Sequence, residues 1–231
     1  MLAQARLFGK LRTPIAMADI TQTATPPDEK QSLQVIFVLG PPGVGKGTIC
    51  KGLAQDFGWY HFSVGDYLRE LVNSTTSLSG AQCGGMRSDN VLAHLETNKL
   101  VPGKTIAAIV EHKVRDIQEQ GCDRILIDGY PRQRESAELF DKTFGRPTKI
   151  VRFGCMKETA KARFTNRKRG ADDGEGFEGR YAEFLVNNLV IEDHYGDLLQ
   201  ILSVNTDGER EETYVRVRAA LSKLMSGMET R

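Results

Sequence analysis

The chain has 231 residues, 40% of them hydrophobic, and its 31 basic residues balance 30 acidic ones to a formal charge of +1. That length supports a sizeable buried core. The near-neutral balance gives no single-sign field that would mark nucleic acid or an anionic membrane as a partner. Cys50, Cys83, Cys122 and Cys155 form no Cys-x-x-Cys pair and no Cys/His cluster, which speaks against a disulfide framework or a zinc site. No apolar run approaches the roughly 20 residues of a membrane span.

Residues 1–33 read as an N-terminal extension without a fixed fold. Met1 to Ala18 contains no acid, and Arg6, Lys10 and Arg12 lie among Leu2, Leu7, Phe8 and Leu11, a basic amphipathic pattern of the mitochondrial targeting type. The stretch has no serine, however, and Pro14 ends any helix early. A polar segment with Pro26-Pro27 follows. The expectation is a disordered tail and a cytoplasmic protein, with mitochondrial targeting left open.

From Gln34 onward, residues 34–231 read as one domain in which short apolar runs alternate with amphipathic ones. The first run, Val35–Leu39, leads into Gly40-Pro41-Pro42-Gly43-Val44-Gly45-Lys46-Gly47-Thr48 and then a helical stretch to Phe57. Strand, glycine-rich loop and helix in that order suit a phosphate-gripping loop. The glycines let backbone N–H groups turn toward an anion, and the helix points its positive end at the same place. Lys46 carries a charge to the β- and γ-phosphates, and Thr48 offers a hydroxyl near Mg²⁺. Gly43, Gly45 and Gly47 complete the candidate ATP site.

The next strand, Trp59–Phe62, opens the segment Phe62-Ser63-Val64-Gly65-Asp66-Tyr67-Leu68-Arg69, where Arg69 sits early on a helix. After Leu100-Val101-Pro102, the stretch Thr105–Glu119 places Ile106, Ile109, Val110, Val114 and Ile117 on one helical face. Strand Ile125–Ile127 ends in Asp128-Gly129-Tyr130-Pro131-Arg132. An aspartate at such a strand end can hold a water on Mg²⁺, and an arginine beside it can grip phosphate bidentately. Strands Lys149–Phe153 and Ile201–Val204 complete the set. Apolar strands separated by helices imply an α/β fold: a five-stranded parallel sheet covered on both faces, with ligands beyond its carboxyl ends. His61, His94, His112 and His194 read as packing or surface residues.

Three motifs together, the loop, the SxGDxLR segment and the DG[FY]PR segment, give the chain its resemblance. From about Val35 to Leu224 it resembles the nucleoside monophosphate kinases of the adenylate kinase and UMP/CMP kinase family. The resemblance implies a P-loop core with a helical acceptor-binding insertion over residues 64–102 and a short lid over residues 167–180. It also implies Mg·ATP as donor, a nucleoside monophosphate as acceptor, and a monomer. Arg69 and Arg132 would hold the acceptor's α-phosphate, with Val64, Val101, Gly129 and Ser136 around the acceptor. Arg163 would lie against the donor adenine, together with the turn at Gly208, and Arg167 on the donor phosphates. Arg169 and Arg180 would contact the transferred group and the acceptor.

Two features depart from the family's pattern. The lid is short, with Arg169, Asp172 and Asp173 off their usual spacing, and Gly170, Gly174, Gly176 and Gly179 are expected to act as hinges. It also lacks the cysteines of a zinc-binding lid. Ser136 stands where adenylate kinases carry glutamine, and Val64 stands where they carry threonine and UMP/CMP kinases carry alanine. Valine keeps threonine's shape, which favours AMP as acceptor over UMP or CMP, with weak discrimination. A nucleotide-binding protein that no longer turns over, and another small-molecule kinase on the same core, remain as alternatives.

Overall fold

A strand made of consecutive apolar residues has no polar face to offer water, so it is stable only with cover on both sides. The first strand, β1 (Gln34–Leu39), is of this kind. Val35, Phe37 and Leu39 enter one hydrophobic cluster and Ile36 and Val38 another. The computed structural model describes residues 32–73, 88–97, 99–167, 174–196 and 201–226. The expected extension therefore lies outside the described residues as far as residue 31, as do Arg169, Asp172 and Asp173.

Helix α1 (Lys46–Phe57) follows β1; then come β2 (Tyr60–Ser63), α2 (Val64–Asn73) and α3 (Ser88–Glu96). Helix α4 (Gly103–Glu119), β3 (Arg124–Asp128), α5 (Arg134–Phe144) and β4 (Lys149–Gly154) form the middle of the chain. Helices α6 (Lys157–Thr165) and α7 (Gly174–Gly196), strand β5 (Ile201–Asn205) and α8 (Arg210–Ser226) complete it. The five strands form one parallel sheet in the order β2-β3-β1-β4-β5. The five strands read from the sequence are all present, each within one residue at either end.

The two clusters divide the helices between the faces of the sheet. One contains Ile109, Val110, Val114 and Ile117 of α4, Phe140 of α5 and Tyr195 of α7. The other contains Leu53 of α1 and Val217 and Leu221 of α8. Phe37 sits centrally, edge-on to Phe140 at 4.9 Å and to Tyr130 at 5.6 Å. Asp141 accepts the Tyr195 hydroxyl at 2.8 Å and faces His194 Nε2 at 2.9 Å, which fixes the end of α7 to α5.

Strand order decides where chemistry can occur. Asp128 pairs in register with Val38, and the Gly129 N–H donates to the Val38 carbonyl at 3.1 Å. The acidic strand end is thereby seated beside the start of the glycine loop. The structure corrects the hinge expectation: Gly174, Gly176 and Gly179 lie inside α7. The cause is packing, since the buried Phe177 stacks edge-on to Phe164 at 5.5 Å and against Tyr181 at 5.2 Å, anchoring the first turns of α7 on α6.

Gly43 and Gly121 separate backbone strain from crowding. Their φ values are +81° and +80°, but a Cβ on Gly43 would overlap the Ala160 carbonyl, whereas one on Gly121 would meet nothing within 4 Å. Gly121→Ala should lower stability by about 1–2 kcal/mol, the cost of left-handed backbone alone. Gly43→Ala should cost at least about 1–3 kcal/mol more, from forced displacement of α6. Urea unfolding of both variants checks this, and equal losses would contradict the packing assigned to the loop.

Candidate active site

The loop between β1 and α1 closes on itself through its lysine. Lys46 Nζ donates to the Gly40 carbonyl at 2.7 Å and the Pro41 carbonyl at 2.9 Å, pulling the ammonium back over the loop. Helix α1 begins at Lys46 with no side-chain cap and no acid in its first turn, so no residue of the helix itself satisfies its positive end. Burial pushes the Lys46 ammonium down to about 8; Asp128 opposes that shift, while Arg132 adds to it. The loop is therefore a backbone and cation cradle suited to a polyphosphate.

Asp128 is buried at the end of β3, and a Cβ on Gly47 would stand 3.5 Å from its Oδ2. His61 Nε2 lies 3.6 Å from the same oxygen and His94 lines the cleft, so two of the four histidines stand at the site. The hydroxyl-bearing Thr48 is exposed at the start of α1. A buried carboxylate and a free hydroxyl suit a hard, oxygen-seeking cation held partly by water and phosphate. Among the described residues no cluster of three or more His, Cys, Asp or Glu could hold a metal unaided.

Arg132 leaves the turn after β3 with its Nε donating to the Gly129 carbonyl at 2.9 Å. Its guanidinium keeps contact with solvent through the open cleft, yet protein on every other side pushes its pKa down, against the pull of Asp128 and Glu183. Arg69, one turn into α2, pairs with Asp66, and Ser63 Oγ accepts the Asp66 N–H at 3.4 Å. Val64 and Val101 are buried at 3% and 6% exposure and present apolar surface only. Ser136 is fully buried, and its hydroxyl donates to the Gln133 carbonyl at 2.7 Å.

On the opposite flank Arg163 donates to the Thr206 carbonyl at 2.9 Å and the Gly208 carbonyl at 2.8 Å. This joins α6 to the turn after β5, and the guanidinium is a structural tie as well as a surface for a planar ligand. Arg167 lies over the Phe164 ring at 4.4 Å and Arg180 at 5.5 Å, so one buried ring gathers cations from α6 and α7.

One cavity of about 1270 Å³ unites these groups. Every candidate site residue named from the sequence lines it, apart from Arg169, which is outside the described residues. A pocket for one small ligand runs to roughly 300–1,000 Å³, so this volume can seat two. Sequence reasoning missed Phe164, Gln133 and Glu183. Glu183 lines the cavity one helical turn beyond Arg180, a spacing that could have exposed it, and burial raises its carboxyl above the usual range against the pull of Arg132 and Arg180.

Comparison with known proteins agrees with this geometry. A family model described as adenylate kinase matches residues 38–199. The chain is 31% identical to a UMP-CMP kinase of Lentinula edodes over 198 residues, 84% of this chain and 87% of that protein. It is 32% identical to UMP-CMP kinase 3 of Arabidopsis thaliana over 191 residues, 81% of this chain and 89% of that protein. It is also 27% identical to adenylate kinase isoenzyme 1 of Caenorhabditis elegans over 204 residues, 87% of this chain and 93% of that protein.

The depressed Lys46 predicts a proton linkage. Its pKa of about 8 without ligand means that the amine is largely neutral at pH 9. Phosphates seated against the loop favour the charged form, so binding at pH 9 should take up about one proton, and affinity should fall as pH rises through 8. Calorimetry of ATP binding at pH 9, in two buffers of different ionisation enthalpy, measures the uptake. Binding without uptake would mean that Lys46 never loses its charge.

Proposed function

The chain belongs to the adenylate kinase family and is an ATP-dependent nucleoside monophosphate kinase; on that premise we propose that AMP is its best acceptor and that pyrimidine monophosphates are accepted less well. The convergence of the glycine loop with Arg69 and Arg132 in one two-ligand cavity supports transfer from ATP to a monophosphate, and Val64 in its wall supports AMP. ATP would lie with its phosphates on residues 43–48 and its base between Arg163 and the turn at Gly208. The monophosphate would enter from the side of Val64 and Val101, its α-phosphate between Arg69 and Arg132. Arg167 and Arg180 then flank the transferring group, and Arg169 belongs to the same proposed set.

Phosphoryl transfer requires two polyanions to be brought into line, their charge neutralised and water excluded. Lys46, Arg132 and Arg180 supply the neutralising charge. Mg²⁺ accompanies ATP in the proposal; Thr48 and Asp128 would hold it, largely through water, where it would neutralise phosphate charge. The acceptor phosphate is already a nucleophilic anion, so no protein base is required. The short lid over residues 167–180 would close the cleft. The enzyme is proposed to act as a monomer, without nucleic acid or membrane; no helix among the described residues is long and apolar enough to cross a membrane.

Val64 supports AMP, because a valine fills threonine's volume. The names of the relatives support the second reading, a UMP/CMP kinase. A pocket that offers apolar walls and few polar contacts separates bases weakly, by about tenfold to a hundredfold. An ADP-release assay across AMP, CMP, UMP, dCMP and GMP decides: kcat/KM highest for AMP supports the first reading, and CMP or UMP ahead of AMP replaces it with the second.

Two substitutions test the division of labour. Lys46→Ala should lower kcat by at least about 100-fold, as expected for a lost electrostatic stabiliser of the transferring group; near-normal kcat would remove Lys46 from the mechanism. Arg132→Ala should weaken monophosphate binding sharply and leave ATP affinity within a few-fold. Equal losses for both ligands in calorimetry would contradict its assignment to the acceptor.

A further inference from the structure

We infer that Gln133, rather than Ser136, is the side chain that hydrogen-bonds the acceptor base. The inference rests on the monophosphate-kinase reading of the cavity and adds the residue that reads its second substrate. Ser136 is fully buried, and the one proton of its hydroxyl is engaged by the Gln133 carbonyl at 2.7 Å. That carbonyl belongs to the residue immediately before α5, so Ser136 stabilises the entry to the helix and has no donor left for a ligand.

Gln133 has the opposite character. It lines the cavity and is partly exposed, and although it occupies the N-cap position its side chain makes no capping hydrogen bond. No hydrogen bond among the described residues engages its carboxamide. The Oε1 atom lies against Gly103, where an added Cβ would stand 2.9 Å from it. Gly103 opens α4 two residues after Val101, whose side chain lines the same cavity. A Cβ there would also stand 2.6 Å from Glu135 Oε2, so the bare glycine leaves room for both the carboxylate and the carboxamide.

A free carboxamide is suited to a base edge. It offers an acceptor beside a donor, which matches the amino group and ring nitrogen of adenine or cytosine. Turned by half a rotation, it matches the carbonyl and N–H of uracil. With no partner to fix its orientation it serves all three, and this is the physical basis of weak discrimination at the site.

The test uses the full chain with AMP, CMP and UMP as acceptors. Gln133→Leu keeps the bulk and removes the polar atoms; the acceptor Kd and KM should rise about tenfold, the scale of one net hydrogen bond, with kcat and ATP affinity within a few-fold. Gln133→Glu presents only acceptors when ionised, so it keeps one contact to each base and sets an acceptor against the other. The acceptor KM should rise about tenfold and recover toward wild type as pH falls and the carboxyl gains a proton, a pH dependence that a merely structural role does not produce. Acceptor constants within twofold of wild type in Gln133→Leu, or a Gln133→Glu acceptor KM that follows the same pH dependence as wild type, would overturn the inference while leaving the kinase reading intact. A wild-type protein that phosphorylates none of the three overturns the kinase reading, and the inference with it.

Discussion

Positive charge held in a poorly solvated cleft is the constraint on which the structure turns. Burial is the largest influence on both Lys46 and Arg132, and it pushes each below its ordinary pKa. Asp128 pulls both back and Glu183 also pulls on Arg132, yet burial outweighs the carboxylates for each cation. Holding both cations charged in the cleft therefore carries an electrostatic cost that phosphate relieves. Affinity for a polyanion is thus built into the unliganded fold, and the elements around the cleft can be understood as holding these charges in place.

The sheet does most of the holding. Because β3 pairs beside β1, the turn bearing Asp128, Gly129 and Arg132 opens against the glycine loop. Edge-on aromatic packing around Phe37 stiffens the wall beneath. The donor flank uses a different device, a guanidinium bound to two carbonyls that ties α6 to the turn after β5. Phe164 then links α6 to α7 through Phe177 and through the cations of Arg167 and Arg180. A shift of α7 against α6 would move Arg180 relative to Arg167 and the loop, which suits a cleft that must close around two ligands.

Much of this was legible in the sequence because it depends on local pattern. Apolar strands such as Val35–Leu39 announce themselves, and the glycine loop and the turn at Asp128 each lie at a strand end. What escaped depends on competition between partners. Ser136 looked available to a base until the Gln133 carbonyl proved to hold its hydroxyl. The glycines after residue 173 looked like hinges, yet Phe177 and Tyr181 pack α7 firmly enough to absorb them. Gln133 was passed over because it adjoins the more conspicuous Arg132, and its partner Gly103 is distant in sequence. The pairing of Phe164 with two arginines likewise needed α6 and α7 to be brought together in space.

The central claim is that donor and acceptor share one cavity, end to end, across Lys46 and Arg132. Titration with a dinucleoside polyphosphate, two nucleosides joined by five phosphates, tests it most directly. The account requires one molecule bound per chain, and a saturated protein that no longer binds either ATP or the monophosphate. A saturated protein that still binds the monophosphate with unchanged affinity would contradict it.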